Sequence, residues 1–369
     1  MNILIIGGGV AAFEAGLAAS AASSDHHVTI CSKEGVPPYR RPALSRMVSE
    51  QLSDTAFYFK DQNFYAERNI QLLLNKEAVS IDRKKQEVFF KDNSVLPYDR
   101  LILATGGNAF IPPVEGAEYA KVLRDYEDLQ QIRNEIASGA NDAVIVGGGV
   151  LGLELADSLL AKGCRVTLLE AGSEVLSRNL DQESAAMVME QLRQIPGLTV
   201  KTNIKVKKVT PDGIELENEK IPSKMVFFST GVRSAAQLAV DAKLQVNKGI
   251  VVDSHMVTSD PLIYSCGDAA EPPSGICGLL SAAKSMGHTA GVNAAGGNEE
   301  FVPEIYPVRL MALGIKLFSA GKLNDAVSEK TCADGNYQRL TRDCCGNLTG
   351  VILLGDLKSA VKLQKELVL

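Results

Sequence analysis

Two short β-branched runs set the pattern of the chain. Ile3-Leu4-Ile5-Ile6 leads into Gly7-Gly8-Gly9 and an alanine-rich stretch, and 140 positions later Ala143-Val144-Ile145-Val146 leads into Gly147-Gly148-Gly149 and a second apolar stretch. A short apolar run bounded by glycine predicts a buried parallel strand, the glycines a tight turn, and the segment behind them a helix. A further strand is expected after each helix, over 28–31 in the first copy and 165–169 in the second, so each copy reads as βαβ. Residues 249–253 predict another strand, and 278–295, rich in alanine, a helix. Beyond Phe301, the runs 317–321, 337–340 and 348–354, separated by Gly and Asp, predict a short antiparallel sheet closed by a helix over 357–369.

The glycines carry specific chemistry. In a strand–turn–helix unit the first permits the sharp turn, the second lets main-chain N–H groups approach a pyrophosphate, and the third lets the helix pack closely on its strand. The pyrophosphate then lies at the positive end of the helix dipole. In the second copy the spacing is complete, with Gly147, Gly149 and Gly152, and Glu170 closes the next strand. A carboxylate there accepts hydrogen bonds from a ribose 2′-hydroxyl and repels a 2′-phosphate, so NADH is expected over NADPH. The first copy departs twice: Gly7 and Gly9 are followed by Ala12 in place of the third glycine, and Ser32 stands where Glu170 stands in the second. Glu34, two residues on, is the candidate ribose contact there. One such turn is a weak signal, whereas two in βαβ context point to two dinucleotides.

Composition narrows the class. Of the 369 residues 46% are hydrophobic and 22% charged, which is enough for several cores in two or three domains. Thirty-eight Lys and Arg against 44 Asp and Glu give a net charge of −6, which disfavours a nucleic-acid surface. No apolar run approaches the ~20 residues of a membrane span, and the first residues lack a basic flank, so a soluble, cytoplasmic chain without a signal peptide is expected. Seven cysteines at irregular spacing do not make a secreted disulfide framework.

With these motifs together, the chain resembles the two-dinucleotide-binding-domain flavoprotein reductases of the pyridine-nucleotide:disulfide oxidoreductase superfamily. Leu101-Ile102-Leu103-Ala104-Thr105-Gly106, Ile263-Tyr264-Ser265-Cys266-Gly267-Asp268 and Thr230-Gly231-Val232-Arg233 match its Ala-Thr-Gly strand, its Gly-Asp motif and its nicotinamide-side turn. Pro38-Tyr39-Arg40-Arg41-Pro42-Ala43-Leu44-Ser45-Arg46 is similar to the Tyr-x-Arg-Pro-x-Leu-Ser-Lys stretch of the rubredoxin and ferredoxin reductase branch. The resemblance implies an α/β fold with two nested Rossmann-like domains, as in glutathione reductase, plus a small C-terminal α+β domain. FAD would lie on 1–108 and 235–298, NADH on 109–234, and the small domain would span 299–369. It also implies an FAD site of Gly7, Gly9, Val10, Ala11, Ala12, Lys33, Glu34, Arg41, Pro42, Ser45, Val79, Ala104, Thr105, Gly106 and Asp268. The NADH site would comprise Gly147, Gly149, Leu151, Gly152, Glu170 and Gly231. Arg46, where relatives have Lys, is expected to pair with Glu154 beside flavin N5. In the family the start of the helix over 278–295 faces the flavin pyrimidine edge, and Met286-Gly287 stands where relatives commonly have Gln-Gly.

Disulfide reductases need Cys-x4-Cys or Cys-x2-Cys beside the flavin to store an electron pair as a dithiol. This chain has neither, and Ser45 stands where a peroxidase-type relative needs a cysteine. Cys344-Cys345 reads either as a strained disulfide, an electron relay or a soft-metal site, or as two half-buried thiols in a hairpin. Cys266 and Cys277 read as packing residues, and His255 and His288 as structural, with no partner at metal-ligand spacing. The expected activity is FAD-dependent NADH oxidation: hydride passes to N5, and electrons leave singly to a small redox protein. Rubredoxin is the first choice of acceptor, followed by ferredoxin or a flavo-diiron protein. Direct use of oxygen, as in an NADH oxidase or peroxidase, and a non-catalytic FAD/NADH sensor are the alternatives. An acidic acceptor would need a basic face, for which Arg40, Arg41, Arg46, Arg309, Lys316 and Lys322 are candidates.

Overall fold

The structure is a computed structural model that describes residues 1–323, 327–333 and 335–368. The chain divides into two compact units: Met1–Ala43, Gln51–Asn108 and Val232–Pro303 form the first, and Leu44–Glu50, Ala109–Gly231 and the chain from Glu304 onward form the second.

The first unit is built on a parallel five-stranded sheet in the order Ile263–Ser265, Arg100–Leu103, Asn2–Ile6, His27–Cys31, Ile70–Leu73. Leu101, Ile102, Leu103 and Ile5 are wholly buried, as strands covered on both faces require. Helix Val10–Ala22 packs on this sheet and against helix Leu280–Ala294. The two helices touch backbone to backbone: a Cβ on Gly287 would lie 2.4 Å from the carbonyl oxygen of Ala11, and one on Gly291 would lie 2.3 Å from that of Ala15. A three-stranded antiparallel meander, Ala78–Asp82, Glu87–Phe90 and Val95–Pro97, supplies Val88 and Phe90 to the core beneath.

The second unit holds a parallel four-stranded sheet in the order Leu198–Lys201, Arg165–Leu169, Asp142–Val146, Met225–Phe228, with its own meander of Val206–Thr210, Gly213–Leu216 and Lys220–Pro222. Both sheets and their following helices, Val10–Ala22 and Val150–Ala161, thus bear out the βαβ reading. The meanders were not foreseen. The strand expected over 249–253 shrinks to Ile250–Val251, a pair of residues bonded to Ala270–Glu271.

The antiparallel sheet expected in the tail has five strands, ordered Val308–Ala312, Ile315–Gly321, Leu348–Leu354, Asn336–Arg342, Val327–Ala333. Leu348–Leu354 is buried at every position, which identifies it as the central strand. The closing helix is shorter than expected, Ala360–Glu366, and Leu369 lies outside the described residues. No helix among the described residues is long and apolar enough to cross a membrane.

Candidate functional site

In the first unit, strand Asn2–Ile6 ends on Gly7, whose φ of +146° only glycine adopts freely and where a Cβ would lie 2.0 Å from the carbonyl oxygen of Ala104. Gly8 backs onto the buried Ser32, whose Oγ would be 2.2 Å from an added Cβ. Gly9 has open space where a side chain would stand, and it caps helix Val10–Ala22 without any side-chain hydrogen bond. The first-turn N–H groups of that helix therefore face an open cradle, as a pyrophosphate requires. Val10, Ala11 and Ala12 are buried behind it. Gly267 closes from the other side, 2.9 Å from the Ala11 methyl when given a Cβ, and places the Gly267–Ala269 turn with Asp268 against the same helix. Thr105 donates to the carbonyl of Ala235 at 2.8 Å, and the Ala235 amide donates to that of Gly106 at 2.9 Å, fixing the Ala104-Thr105-Gly106 bend.

Glu34 is more engaged than its sequence position suggests. Arg41 Nη2 donates to Oε1 and the Tyr39 hydroxyl to Oε2, both at 2.7 Å. Tyr39 itself stacks on Phe57 with ring centroids 4.8 Å apart. Its role was missed, although Pro38-Tyr39-Arg40-Arg41 is the stretch that singled out the loop. Lys33, Pro42 and Val79 lie at exposed positions. These residues fit an adenine dinucleotide: an uncapped helix start, glycine where the backbone must be bare, and a carboxylate at the adjoining strand end.

The second unit repeats the plan. Gly147 has φ +117°, and a Cβ on it would lie 2.4 Å from the carbonyl oxygen of Ser229, beside the Thr230-Gly231 turn. Gly149 faces open space and caps helix Val150–Ala161 with no side-chain bond. A Cβ on Gly152 would lie 2.0 Å from the Gly147 carbonyl oxygen, which is the close approach that the third glycine exists to permit. Glu170 accepts from the Gly148 amide at 2.7 Å and from the Gly172 amide at 2.8 Å, so its carboxylate is oriented by the turn it serves. Leu151, half exposed, stands beside the open glycine.

The expected pairing of Arg46 with Glu154 is not present. Arg46 Nε donates to Glu50 Oε2 at 2.9 Å, an exposed i,i+4 pair, because a partner one turn away, just past the helix end, needs no long-range placement. Glu154 instead accepts from the buried Ser45 hydroxyl at 2.9 Å. One turn further along both helices, Ser49 Oγ donates to Ser158 Oγ at 3.3 Å, and Arg133 donates to the carbonyls of Met47 and Glu50. Helix Ala43–Ser49 is thus held on helix Val150–Ala161 by a polar ladder, which places Ser45 by Glu154. Burial pushes the Glu154 carboxyl up, against the hydrogen bond from Ser45, which favours its charged form.

Three of the cations expected on a basic face have local partners. Arg40 donates to the carbonyls of Thr55, Ala56 and Tyr58, Arg41 is paired with Glu34, and Arg46 with Glu50. Cys266 is buried as expected, but Cys277 is exposed, and Cys344 and Cys345 are free, exposed thiols rather than half-buried ones. His255 and His288 face Glu300 and Glu299, and no metal-binding group of three or more side chains occurs among the described residues.

Comparison with known proteins agrees with this geometry. Residues 1–287 match the family model of pyridine nucleotide-disulphide oxidoreductases. Rubredoxin-NAD(+) reductase of Pseudomonas putida is 35% identical over 279 residues, covering 73% of this chain and 72% of that protein. NADH-rubredoxin oxidoreductase of Clostridium acetobutylicum is 29% identical over 371 residues, covering 99% and 94%. The crystal structure of the Clostridium acetobutylicum NADH:rubredoxin oxidoreductase superposes with a TM-score of 0.82 at 26% identity, over 99% of this chain and 94% of that one. The chain belongs to the pyridine nucleotide-disulphide oxidoreductase family, whose members use FAD and NADH.

Proposed function

We propose that this protein is an NADH-dependent flavoprotein reductase in which the first unit holds FAD, the second holds NADH, and the electrons pass to a small redox protein, rubredoxin first among them. The observation that carries the reading is the repetition, in two separate units, of a bare glycine turn at an uncapped helix N-terminus with a carboxylate beside it. Relatives named as rubredoxin reductases support the choice of acceptor.

FAD held at the Gly7–Gly9 turn would supply the hydride-accepting and single-electron chemistry, with NADH held at the Gly147–Gly149 turn. The chain orients and discriminates. Gly148 and Gly172 hold the Glu170 carboxylate where it can accept from a 2′-hydroxyl and repel a 2′-phosphate. Ser45 fixes the Glu154 carboxyl, whose charge burial disfavours and whose carboxylate form the Ser45 hydroxyl favours. Cys31 and Cys266 are buried, with their thiols pushed up to about 12 by burial, and serve no relay.

The test is steady-state NADH oxidation by the purified flavoprotein with rubredoxin, ferredoxin, a disulfide and oxygen offered separately. Rubredoxin or ferredoxin turning over at least tenfold faster than the others is expected. Strong preference for the disulfide would overturn the reading. Bleaching of the flavin by NADH within seconds under anaerobic conditions separates catalysis from a sensor, which would hold a long-lived complex instead.

A further inference from the structure

The thiols of Cys31, Cys164 and Cys266 lie in the cores and are pushed up by burial. Cys344 and Cys345 differ. They sit side by side at the tip of the hairpin between strands Asn336–Arg342 and Leu348–Leu354, both exposed, with their Sγ atoms 4.0 Å apart.

The turn that carries them is fixed by its own hydrogen bonds. Asp343 Oδ1 accepts from the amides of Cys345 and Asn347, each at 2.9 Å, and Oδ2 accepts from the Asn347 side-chain amide at 3.0 Å. The Asp343 amide donates to the Asn347 carbonyl and the Gly346 amide to the Asp343 carbonyl. Arg342 Nη1 donates to the Gly346 carbonyl at 3.0 Å. Two thiols presented on a braced turn lose little freedom when a single atom bridges them.

Geometry selects the bridging atom. Adjacent Cα atoms are ~3.8 Å apart, short of the ~4.4 Å at which disulfide spacing begins, and an S–S bond of ~2.05 Å would need the sulfurs to close by half their separation. One soft atom bound at ~2.3 Å to each of two thiolates holds the sulfurs about 3.5 Å apart at a pyramidal angle and about 4.6 Å apart when linear, a range that includes the 4.0 Å present. No third His, Cys, Asp or Glu completes a metal cage among the described residues, so the ion must be one satisfied by two sulfurs.

We infer that Cys344 and Cys345 form a surface dithiol site for a thiophilic ion or metalloid of low coordination number, separate from the nucleotide turns. With a monosubstituted trivalent arsenical the reaction balances without any redox change. Two S–H bonds break, two As–S bonds form, and the As=O oxygen leaves as water with both protons.

Phenylarsine oxide is the probe, added to the full flavin-loaded protein under native conditions, with intact-mass spectrometry as the readout. One arsenical per chain is expected, released by a 1,2-dithiol and resistant to a monothiol. Cys344→Ser and Cys345→Ser should each weaken retention by about 10²–10⁴-fold, the usual gain from two linked contacts. Cys332→Ser, at the other exposed thiol of this sheet, should leave it unchanged. Flavin content and circular dichroism confirm that each variant folds. No adduct on the native protein, release by a monothiol, or retention in either Cys344→Ser or Cys345→Ser would overturn the site.

Discussion

Glu154 and Glu170 show how one residue type is set to two tasks by its surroundings. Glu170 receives two backbone amides at the end of its strand, whereas Glu154 receives one hydroxyl in a site that disfavours its charge. We expect Glu170→Gln, which keeps an acceptor and removes the charge, to raise NADPH use relative to NADH by roughly 10- to 100-fold, the range of one hydrogen bond to a charged group. The ratio of the two kcat/KM values measures this. Because the folded Glu154 carboxyl titrates above its unfolded value, its contribution to stability is complete at low pH and is lost as pH rises through the raised value. Glu154→Gln should therefore flatten that part of the stability–pH curve, and Ser45→Ala should move it to higher pH, since the hydroxyl favours the carboxylate. Urea unfolding at a series of pH values reads both, and an unchanged curve in Glu154→Gln would assign the titration elsewhere. At this scale the sequence was only partly legible. Glu170 and the glycines follow from spacing, but the partner of Glu154 depends on which face of helix Ala43–Ser49 meets helix Val150–Ala161. The i,i+4 pair that captures Arg46 was visible in the sequence, and the local partner prevailed over a distant one.

The two βαβ units could be read from sequence because four apolar residues followed by glycine have few other uses. The meanders could not, since Ala78–Asp82 has no fully buried residue and so lacks the alternation that marks a half-buried strand. Strand Val327–Ala333 is exposed throughout and owes its form to pairing with Asn336–Arg342, a tertiary cause with no local signature. The packing of helix Val10–Ala22 on helix Leu280–Ala294 was equally hidden, although its small residues recur four apart: Ala11 and Ala15 on one side, Gly287 and Gly291 on the other. The close approach there makes a sharp test. In an isolated helix Gly→Ala gains up to ~1 kcal/mol of propensity. At Gly291 the new methyl would stand 2.3 Å from a backbone oxygen that cannot swing away, and overpacking of this kind costs about 1–3 kcal/mol. We expect Gly291→Ala to be destabilising on balance, while Ser281→Ala, exposed on the same helix, stays within ~0.5 kcal/mol of the parent. Chemical denaturation followed by circular dichroism separates the two; a stabilised Gly291→Ala would mean that the helices stand further apart.

Across the second unit, Asp181 is one of the links between the C-terminal sheet and the parallel-sheet half, beside Lys330 on Glu183 and the Leu313 amide on Asp157. Asp181 caps helix Gln182–Arg193 by accepting from the Ser184 amide and hydroxyl on Oδ1, and its Oδ2 accepts from Tyr337 at 2.6 Å and Arg339 at 3.0 Å, with Lys330 at 3.5 Å. Burial by itself would raise this carboxyl. The hydrogen bonds from Ser184 and Tyr337 and the charge of Lys330 outweigh it and hold the group well below the usual carboxylate range. A depressed folded value contributes stability that is complete above the unfolded value of ~3.9 and is lost as pH falls below it. The tail should consequently loosen under acid before the parallel sheets do, because their cores are apolar and carry no comparable charge. Asp181→Asn should reproduce that loosening at neutral pH, since it leaves Arg339 and Lys330 facing an amide and removes the stronger acceptor from Tyr337. Hydrogen exchange is the direct measurement. Amides in Asn336–Arg342 and Val327–Ala333 should exchange on the order of tenfold faster in the variant, while those of Asp142–Val146 and Arg165–Leu169 keep their protection. If both sets of strands accelerated together, Asp181 would be supporting the helix it caps rather than the junction with the tail.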